Sequence, residues 1–352
     1  MNHKRIDPVQ KEDIRSVVHS SRIPWERLKK KTIAVTGASG LIGRTLIDTI
    51  LEADQTYDLG CQVLAFVRNP KKAEELFENE KNLQIIVQDV MDPVPTEINA
   101  DFLVHAASIT TSRVMVEQPV ETIMTTVEGT HRMLEFASRC QMEGVVYLSS
   151  MEAYGMVTSE QGGLKEEDLG RIDLTNVRNG YAEGKRLAEC LCASYAKEYG
   201  VHVRAARLAQ TFGAGISKEE NRVFAQFARS ILNGEDIVLH TKGEKANCYC
   251  YLSDAVSAIL LLLFCGEDGQ SYNVANMETF CSIRGLAETF LKLDATGNCR
   301  LRIEIPEDSA SLGYAPDTIL RLNSERLMQL GWKPEKNLEE MAERLLKSLG
   351  QE

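Results

Sequence analysis

The amino-acid sequence predicts an α/β fold, with a parallel, doubly wound sheet and a smaller, mostly α-helical C-terminal lobe. Short apolar runs that are typical of buried strands alternate with helix-like segments between residues 32 and 208. Strands that alternate with helices form parallel sheets, because each helix crosses over the sheet between two strands. Beyond residue 208 this alternation weakens and helical patterns dominate, which predicts the lobe.

The predicted elements follow one another in a regular order. The strands of the sheet are predicted at 32–35, 62–67, 83–87, 102–105, 145–149 and 201–208. The helices between them are predicted at 41–51, 70–77, 120–140 and 181–199. In the second half, helices are predicted at 221–233, 254–264, 282–293, 324–330 and 338–349, and short strands at 236–240 and 271–274.

These elements divide the chain into three predicted regions. Residues 1–30 form an N-terminal extension, in which 13–19 is a short helix and Trp25 is a large apolar anchor. The main domain comprises residues 31–208, with later strands from about 236–280. The lobe comprises residues 209–235 and 281–352.

Composition and charge narrow the possible functions. The chain has 352 residues, of which 43% are hydrophobic, and a net charge of -11, which argues against a nucleic acid or an anionic membrane as partner. Its nine cysteines are scattered without a C-x-x-C motif, so reduced thiols are favoured over a metal site. The N-terminus is polar, and the longest apolar run, 258–265, is too short to span a bilayer. These features favour a soluble, cytoplasmic protein.

A glycine-rich segment, TGASGLIG at 36–43, follows the first strand and opens the first helix. In this context the glycines let backbone N–H groups approach a pyrophosphate at the helix N-terminus, which is typical of a Rossmann dinucleotide-binding domain. The alternative is a turn with only a structural role. The predicted cofactor contacts in this segment are Gly37, Ser39, Gly40, Leu41, Ile42 and Gly43.

The ends of the next strands predict further cofactor contacts. The second strand ends in Arg68 and Asn69, where an Arg can accommodate the 2′-phosphate of NADP. The predicted cofactor is therefore NAD(P), with NADP slightly favoured, although a solvated Arg at a strand end is also common. At the ends of the third and fourth strands, the predicted contacts are Asp89, Val90, Ala106 and Ala107.

Two segments about thirty residues apart carry the reactive side chains. Tyr181 and Lys185 are four residues apart and share one face of a helix. A Lys ammonium beside the phenol favours the phenolate and should lower the pKa of Tyr181 from about 10, so that it can exchange a proton with a substrate hydroxyl. Ser150 is predicted to hydrogen-bond the same substrate oxygen, and Glu152 adds a fourth polar group.

In this order, these motifs resemble the extended short-chain dehydrogenase/reductases, also called the NAD-dependent epimerase/dehydratase family. The resemblance covers about residues 31–335, including Leu330-Gly331-Trp332-Lys333-Pro334 near the C-terminus. It implies that Tyr181 is the catalytic acid/base, that Lys185 holds the nicotinamide ribose, and that Ser150 positions the substrate hydroxyl. It also implies a homodimer formed through the helices at 120–140 and 181–199.

Two details resemble one part of that family. The segment Ser150-Met151-Glu152-Ala153-Tyr154-Gly155 and the run Tyr181–Glu189 are similar to UDP-glucuronate decarboxylases and to nucleotide-sugar 4,6-dehydratases. This implies oxidation of a sugar 4-hydroxyl to a ketone and then loss of water or carbon dioxide, in surface-polysaccharide synthesis, with Glu152 as a base or orienting group. A 4-epimerase or ketoreductase, in which Glu152 is a bystander, is the alternative. A non-catalytic, cofactor-sensing regulator is disfavoured because Ser150, Tyr181 and Lys185 are all present.

The substrate contacts are less well defined by the sequence. The candidates are Ser108, Thr110, Gln210, Thr211, Arg222, Lys245 and Arg321. Several positions depart from the pattern of nucleotide-sugar enzymes, so the diphosphate clamp is only partly recognisable. These positions are Thr126 and Gln210, where Asn is usual; Ala214, Gly215 and Ile216, which carry no Arg after Gly213; Asn247, where Arg is usual; and Ala315, where an Arg usually precedes Pro316 and Asp317.

Overall fold

The computed structural model describes residues 7–77, 80–157, 162–305 and 318–350. The segment around Ala315 lies outside these residues. The strands are β1 (Thr32–Thr36), β2 (Gln62–Val67), β3 (Leu83–Val87), β4 (Phe102–His105), β5 (Gly144–Ser150), β6 (Val203–Leu208), β7 (Gln210–Phe212), β8 (Ile237–Leu239), β9 (Ala246–Tyr251), β10 (Ser271–Val274), β11 (Asn276–Ser282), β12 (Leu301–Ile303) and β13 (Ile319–Leu320). The α-helices are α1 (Pro8–Val18), α2 (Leu41–Tyr57), α3 (Pro70–Phe77), α4 (Ser112–Glu117), α5 (Pro119–Cys140), α6 (Gly180–Tyr199), α7 (Val223–Asn233), α8 (Leu252–Cys265), α9 (Ile283–Lys292), α10 (Glu325–Gln329) and α11 (Leu338–Leu349).

The main sheet has seven strands in the order β10-β6-β5-β4-β1-β2-β3. Every neighbouring pair is parallel. Both faces are covered, with α2 and α8 in one apolar core and α5 and α6 in the other. The predicted doubly wound α/β fold is confirmed. The strand order reverses between β1 and β4, and ligands of such sheets bind at the carboxyl ends of the strands at this point.

The lobe has its own small sheet, in which β9 lies between β11 and β13 and also pairs with β7. Together with α7, α9 and α11 it encloses a third apolar core. Of the strands predicted within 236–280, β10 joins the main sheet, whereas β8 pairs with β12. The reason is the alternation of buried Ile237, exposed Val238 and buried Leu239, because a strand with one wet face suits the surface of a lobe.

Helix α1 begins at Pro8, five residues before the predicted start. The Asp7 carboxylate caps it by accepting from the backbone N–H of Gln10 at 3.0 Å, and Pro8 is favourable in the first turn. Trp25 is buried as predicted, and its Nε1 donates to the carbonyl of Val18 at 2.9 Å. The extension therefore packs as an ordered element against α2, α8 and α11.

A buried carboxylate links α1 to the lobe. Asp13 accepts from the Tyr251 hydroxyl at 2.6 Å and lies 2.8 Å from Nη2 of Arg344 on α11. Burial raises the pKa of Asp13 to about 6, although Tyr251 and Arg344 oppose this shift. A second contact joins the same elements, because the Ser348 hydroxyl donates to Asp7 at 2.7 Å.

Two further features concern the described residues as a whole. Within these ranges, no helix is long and apolar enough to cross a membrane, and no group of three or more His, Cys, Asp or Glu side chains is placed to hold a metal ion. All nine cysteines are free thiols.

Candidate active site

The glycine-rich turn between β1 and α2 lies against the end of β4. Gly37 has a φ of +63°, and a Cβ there would lie 2.8 Å from the backbone of Ala106 and Ala107. A Cβ at Gly43 would lie 2.4 Å from the carbonyl oxygen of Gly37. The Thr36 hydroxyl accepts from the N–H groups of Ala106 and Ala107, both at 3.1 Å. The close approach of these backbones therefore requires glycine at both positions.

The start of α2 is shaped to receive an anionic group. Gly40 precedes the helix without a side-chain cap, so the first N–H groups, beginning at Leu41 and Ile42, are not capped by a side chain. A helix N-terminus of this kind binds a pyrophosphate through its N–H groups and its dipole. The turn, including Ser39, thus fits the dinucleotide predicted from the sequence.

The residues at the ends of β2 and β3 lie beside this turn. Arg68 is exposed, and the Asn69 side chain accepts from the Lys72 N–H at 3.3 Å in the first turn of α3. Asp89 is partly exposed and caps the turn after β3 by accepting from the Met91 N–H at 3.0 Å. Val90 is buried, and a Cβ at Gly129 on α5 would lie 2.9 Å from its Cγ2, so its side chain packs against α5.

The predicted catalytic side chains meet at the carboxyl end of β5. Ser150 ends this strand, Glu152 lies in the 3-10 helix Met151–Tyr154 that follows, and Tyr181 and Lys185 lie in the first turns of α6. Tyr181 and Lys185 are 6% and 2% exposed. The Ser150 hydroxyl interacts with the Tyr181 phenol and accepts from the Glu152 N–H at 3.2 Å.

The predicted direction of the Tyr181 pKa shift is wrong. Burial raises this pKa to about 12, and the Glu152 charge adds to the effect, whereas the hydroxyls of Ser150 and Ser108 oppose it. Lys185 does not compensate, because burial lowers its own pKa to about 7. Its Nζ donates to the Leu148 carbonyl at 2.7 Å and lies 5.6 Å from the centre of the Tyr181 ring.

Glu152 has a partner that the sequence did not reveal. Nη1 and Nη2 of Arg178 lie 2.9 and 3.1 Å from the two carboxylate oxygens of Glu152, which is the bidentate geometry of a strong pair. Arg178 lies on the 3-10 helix Val177–Asn179, three residues before Tyr181. Its proximity to the reactive phenol was the only signal in the sequence that singled it out.

A buried ion pair between β6 and α6 fixes the helix that carries Tyr181 and Lys185. Arg207 on β6 donates to both carboxylate oxygens of Glu189 on α6, with its Nη2 at 2.6 Å. The same carboxylate accepts from the hydroxyls of Ser149 and Ser271. Its charge raises the pKa of Lys185, against the effect of burial. The pair thus ties α6 to three strands of the main sheet.

The predicted substrate contacts fall into two groups. Ser108 lies next to Tyr181, and Thr110 is exposed in the loop after β4. Gln210 and Thr211 lie on β7, and Arg222 reaches the Thr211 carbonyl at 3.4 Å while it pairs with Glu220 at 2.7 Å. Ser108 therefore lies at the catalytic centre, Thr110 lies in the loop that follows it, and the other three residues lie in the lobe.

Lys245 and Arg321 lie in the small sheet that also contains β7. Lys245 directly precedes β9, and its carbonyl accepts from the Ile283 N–H at 2.9 Å. Arg321 follows β13, and its guanidinium lies 5.6 Å from the centre of the Phe280 ring. Between them, Asn247 is buried and its Oδ1 has no hydrogen-bond partner among the described residues.

Packing explains two departures from the family pattern. A Cβ at Gly215 would lie 2.7 Å from the side chain of Gln10 on α1, and the Gly215 N–H donates to Ser348 on α11 at 3.1 Å. The N-terminal extension therefore lies against the loop in which an Arg is usual. Thr126 donates its hydroxyl hydrogen to the Thr122 carbonyl at 2.8 Å, and a Cβ at Gly184 on α6 would lie 3.4 Å from its own Cβ, so this side chain packs between α5 and α6.

Comparison with known proteins found relatives that are named UDP-glucuronic acid decarboxylases. UDP-glucuronic acid decarboxylase 3 of Arabidopsis thaliana is 28% identical over 311 residues, which is 88% of this chain and 86% of that protein. UDP-glucuronic acid decarboxylase 1 of Xenopus tropicalis is 31% identical over 234 residues. The match spans 66% of this chain and only 54% of that relative.

Solved structures share the fold. A UDP-glucose 4-epimerase from Thermotoga maritima has a TM-score of 0.77 at 21% identity and covers 90% of this chain and 98% of its own. A dTDP-glucose 4,6-dehydratase from Bacillus anthracis, solved in complex with NAD, has a TM-score of 0.73 at 19% identity, over 91% of this chain and 96% of its own.

The family model described as NAD dependent epimerase/dehydratase family matches residues 33–275. This range contains the glycine turn, the Ser150, Tyr181 and Lys185 group, and β10, the last strand of the main sheet. NAD is the cofactor that the family indicates, and the preference for NADP drawn from Arg68 stays a prediction. Because the match covers more than half of the sequence, the chain belongs to the NAD dependent epimerase/dehydratase family.

Proposed function

We propose that this protein oxidises the 4-hydroxyl of a nucleotide-linked sugar to a ketone and then eliminates carbon dioxide or water, in surface-polysaccharide synthesis. The observation that carries the proposal is the Glu152 carboxylate, held by Arg178 beside Tyr181 and Ser150. An epimerase or a simple reductase needs no acidic group at this place. NAD held at the glycine turn, with Lys185 at its ribose, would supply the hydride acceptor for the oxidation and, once reduced, the hydride donor for the later reduction.

The residues around the phenol would carry the proton transfers of the first step. The Ser150 hydroxyl hydrogen-bonds O4 of the sugar, and the Tyr181 phenolate takes the O4 proton as the C4–H electron pair leaves. Burial lowers the pKa of Lys185 to about 7 and raises that of Tyr181. Lys185 therefore loses its proton at a lower pH than Tyr181, and its neutral amine is the expected acceptor of the phenol's own proton. After a decarboxylation, Tyr181 would return the proton to O4 as the hydride returns to C4.

Glu152 would act once the ketone has formed. In a decarboxylation, Glu152 would orient the departing carboxylate while its bond to C5 breaks, carbon dioxide leaves, and the electron pair enters the enolate, which then takes up a proton at C5. In a dehydration, Glu152 would remove the C5 proton and pass it to the C6 hydroxyl, which leaves as water, and the hydride would then return to C6 while O4 stays a ketone. We favour decarboxylation, because the relatives that match 88% of this chain are named as UDP-glucuronic acid decarboxylases.

The substrate nucleotide would lie towards the lobe. The side chains of Gln210, Thr211, Arg222, Lys245 and Arg321 are spread over the strands and flanks of its small sheet. Among the described residues the Oδ1 of Asn247 has no partner, so this side chain would offer an acceptor to a donor group of the substrate, whereas the guanidinium usual at this place would bind an anion. A 4-epimerase or an NADP-dependent ketoreductase remains the second candidate function, and a cofactor-sensing regulator the third.

The Glu152→Gln variant tests the proposed reaction. Incubation of the wild-type chain with UDP-, dTDP-, CDP- and GDP-sugars, including a uronate, should give a product that has lost carbon dioxide or water by mass spectrometry. The variant should still reduce NAD in a single turnover but should release eliminated product at least about 10²-fold more slowly. Glu117→Gln removes another Arg-paired carboxylate, on α4, and should match wild type. Wild-type rates in Glu152→Gln would reject the elimination.

The homodimer also stays a proposal, and the surface of α5 and α6 supports it. Val120, Met124 and Leu187 on these helices are 65%, 45% and 49% exposed, and exposed apolar side chains grouped on one face mark protein interfaces. Light scattering at micromolar concentration should give twice the mass of one chain. Leu187→Glu should give monomers, whereas Leu232→Glu, a substitution of an equally exposed Leu on α7, should not. A monomeric wild-type chain would contradict the proposal.

A further inference from the structure

The ion pair of Arg178 and Glu152 lies at the reacting phenol and is shielded unevenly from solvent. The Arg178 side chain is 12% exposed, and that of Glu152 is 33% exposed. Both charges act on Tyr181, since Glu152 raises the pKa of the phenol and Arg178 lowers it. The two charges therefore offset each other at the group that must exchange a proton.

Each member of the pair is mounted on a segment that also carries a reacting group. The Arg178 N–H donates to the Asn176 side chain at 3.1 Å, in the short helix that leads directly to Tyr181. On the other side, the Glu152 N–H donates to Ser150 at 3.2 Å. The pair thus bridges the segment of Tyr181 and the segment of Ser150.

A second arginine forms hydrogen bonds with the backbone of the segment that carries Glu152. Arg186 on α6 donates to the carbonyls of Ala153 and Tyr154 at 2.6 and 3.1 Å. These bonds fix the path of the chain next to Glu152, but they do not touch its carboxylate. The direction of that carboxylate is set by the fork of Arg178, whose Nε is buried without a partner among the described residues.

We propose that Arg178 is a positioning residue, which fixes the direction of the Glu152 carboxylate and offsets its charge next to Tyr181. The inference rests on the proposed function for its effect on elimination. The offset of the Glu152 charge by Arg178 does not rest on the proposed function, because it concerns the ionisation of Tyr181 in the protein without substrate. Arg178→Met should leave the Glu152 charge uncompensated, and Glu152→Gln should remove that charge.

The first experiment measures the ionisation of Tyr181 directly. Protein labelled with carbon-13 at the phenol carbon of tyrosine is titrated by NMR up to the highest pH at which circular dichroism shows all variants folded. The Tyr181 resonance is assigned by its loss in Tyr181→Phe. At that pH the ionised fraction should increase in the order Arg178→Met, wild type, Glu152→Gln. The double variant Arg178→Met with Glu152→Gln should have an ionised fraction of Tyr181 close to that of wild type. Arg113→Met, which removes an exposed Arg on the neighbouring α4, should give the wild-type fraction.

The second experiment separates charge from geometry. Arg178→Lys keeps the charge but loses the bidentate fork, so it should restore the ionisation of Tyr181 but not the rate. With an active sugar nucleotide, both Arg178 variants should lower kcat by about 10- to 100-fold, since misplacement of a reacting group costs rates of this size. KM should stay within about threefold, because substrate binding itself is intact.

The outcomes distinguish this inference from the proposed function. If no sugar nucleotide reacts with the wild-type chain, the proposed function fails, and the order of Tyr181 ionisation still decides whether Arg178 offsets the Glu152 charge. Equal ionisation in all variants would overturn the inference. An increase in KM with unchanged kcat would also overturn it, since Arg178 would then bind substrate instead of positioning Glu152.

Discussion

Replacement of Tyr181 by Phe is expected to lower kcat by about 10³-fold, because the variant has no group to take the proton from the substrate hydroxyl. The ring stays in its buried place at the start of α6, so the thermal midpoint should change little. The formation of reduced nicotinamide in a single turnover measures the effect. Tyr195→Phe, which removes another hydroxyl on α6 that bonds His131, should retain wild-type rates. A Tyr181→Phe variant that retains activity would exclude Tyr181 as the acid/base.

The same site sets the pH dependence of the oxidation step. Tyr181 can take the O4 proton only when its own proton has a place to go, and a neutral Lys185, whose Nζ lies 5.6 Å from the centre of the Tyr181 ring, is the expected acceptor of that proton. The lower pKa of the two groups is that of Lys185, at about 7, so the rate should increase as the pH is raised through about 7. Lys185→Met leaves the phenol alone, with its pKa near 12, so the increase should move to a markedly higher pH. A profile that Lys185→Met leaves in place would contradict this coupling.

Replacement of Arg207 by Met is expected to lower the free energy of unfolding by about 3–5 kcal/mol, because it leaves the buried carboxylate of Glu189 without its cation. The Arg207 and Glu189 side chains are only 5% and 9% exposed, so water cannot replace the lost contacts. Denaturation in urea, followed by circular dichroism, measures the change.

Two further variants test the origin of this loss. Arg207→Met combined with Glu189→Leu removes both charges and should recover much of the stability, since a buried pair replaced by apolar groups is often tolerated. Arg113→Met, which breaks an exposed pair on α4, should change the free energy of unfolding by less than about 0.5 kcal/mol. A loss for Arg207→Met no larger than this would show that the pair contributes little.

The sequence predicted those parts of the fold whose conformation is determined by residues close to one another along the chain. The strands from 62–67 to 102–105 and the helix at 70–77 have the predicted bounds, because each is a short apolar or amphipathic run next to a turn. The glycine turn and the spacing of Tyr181 and Lys185 likewise follow from backbone sterics and helix period. Such features need no knowledge of distant neighbours.

The parts that were missed depend on distant partners. Strand β9, with the sequence ANCYCY, alternates small, polar and aromatic residues and is buried at every position, because β7, β11 and β13 surround it. Strand β7 is three residues long and precedes two glycines, so it resembles a loop. Helix α4 was also missed, because its six residues are too few to show a helical period.

The electrostatics of the site depended on the packed structure as well. Arg178 and Glu152 are 26 residues apart, and no sequence period links them. The shift of the Tyr181 pKa reverses the predicted direction because burial, which is a property of the folded chain, outweighs the opposing effects of Ser150, Arg178 and Ser108. Residue types and spacing therefore predicted which side chains meet, but not their proton affinities.

The contacts of α1 restrict how the lobe can move. A hinge motion that opened the cleft between lobe and sheet would have to break the contacts of Asp13 with Tyr251 and Arg344, and of Asp7 with Ser348, while α1 stays on α2. Helix α1 therefore connects the lobe to α2 on the main sheet and holds the two in a fixed relative position. The proposed sugar-nucleotide substrate would therefore have to fit a space that is already formed, because movement of the lobe around it would break these contacts.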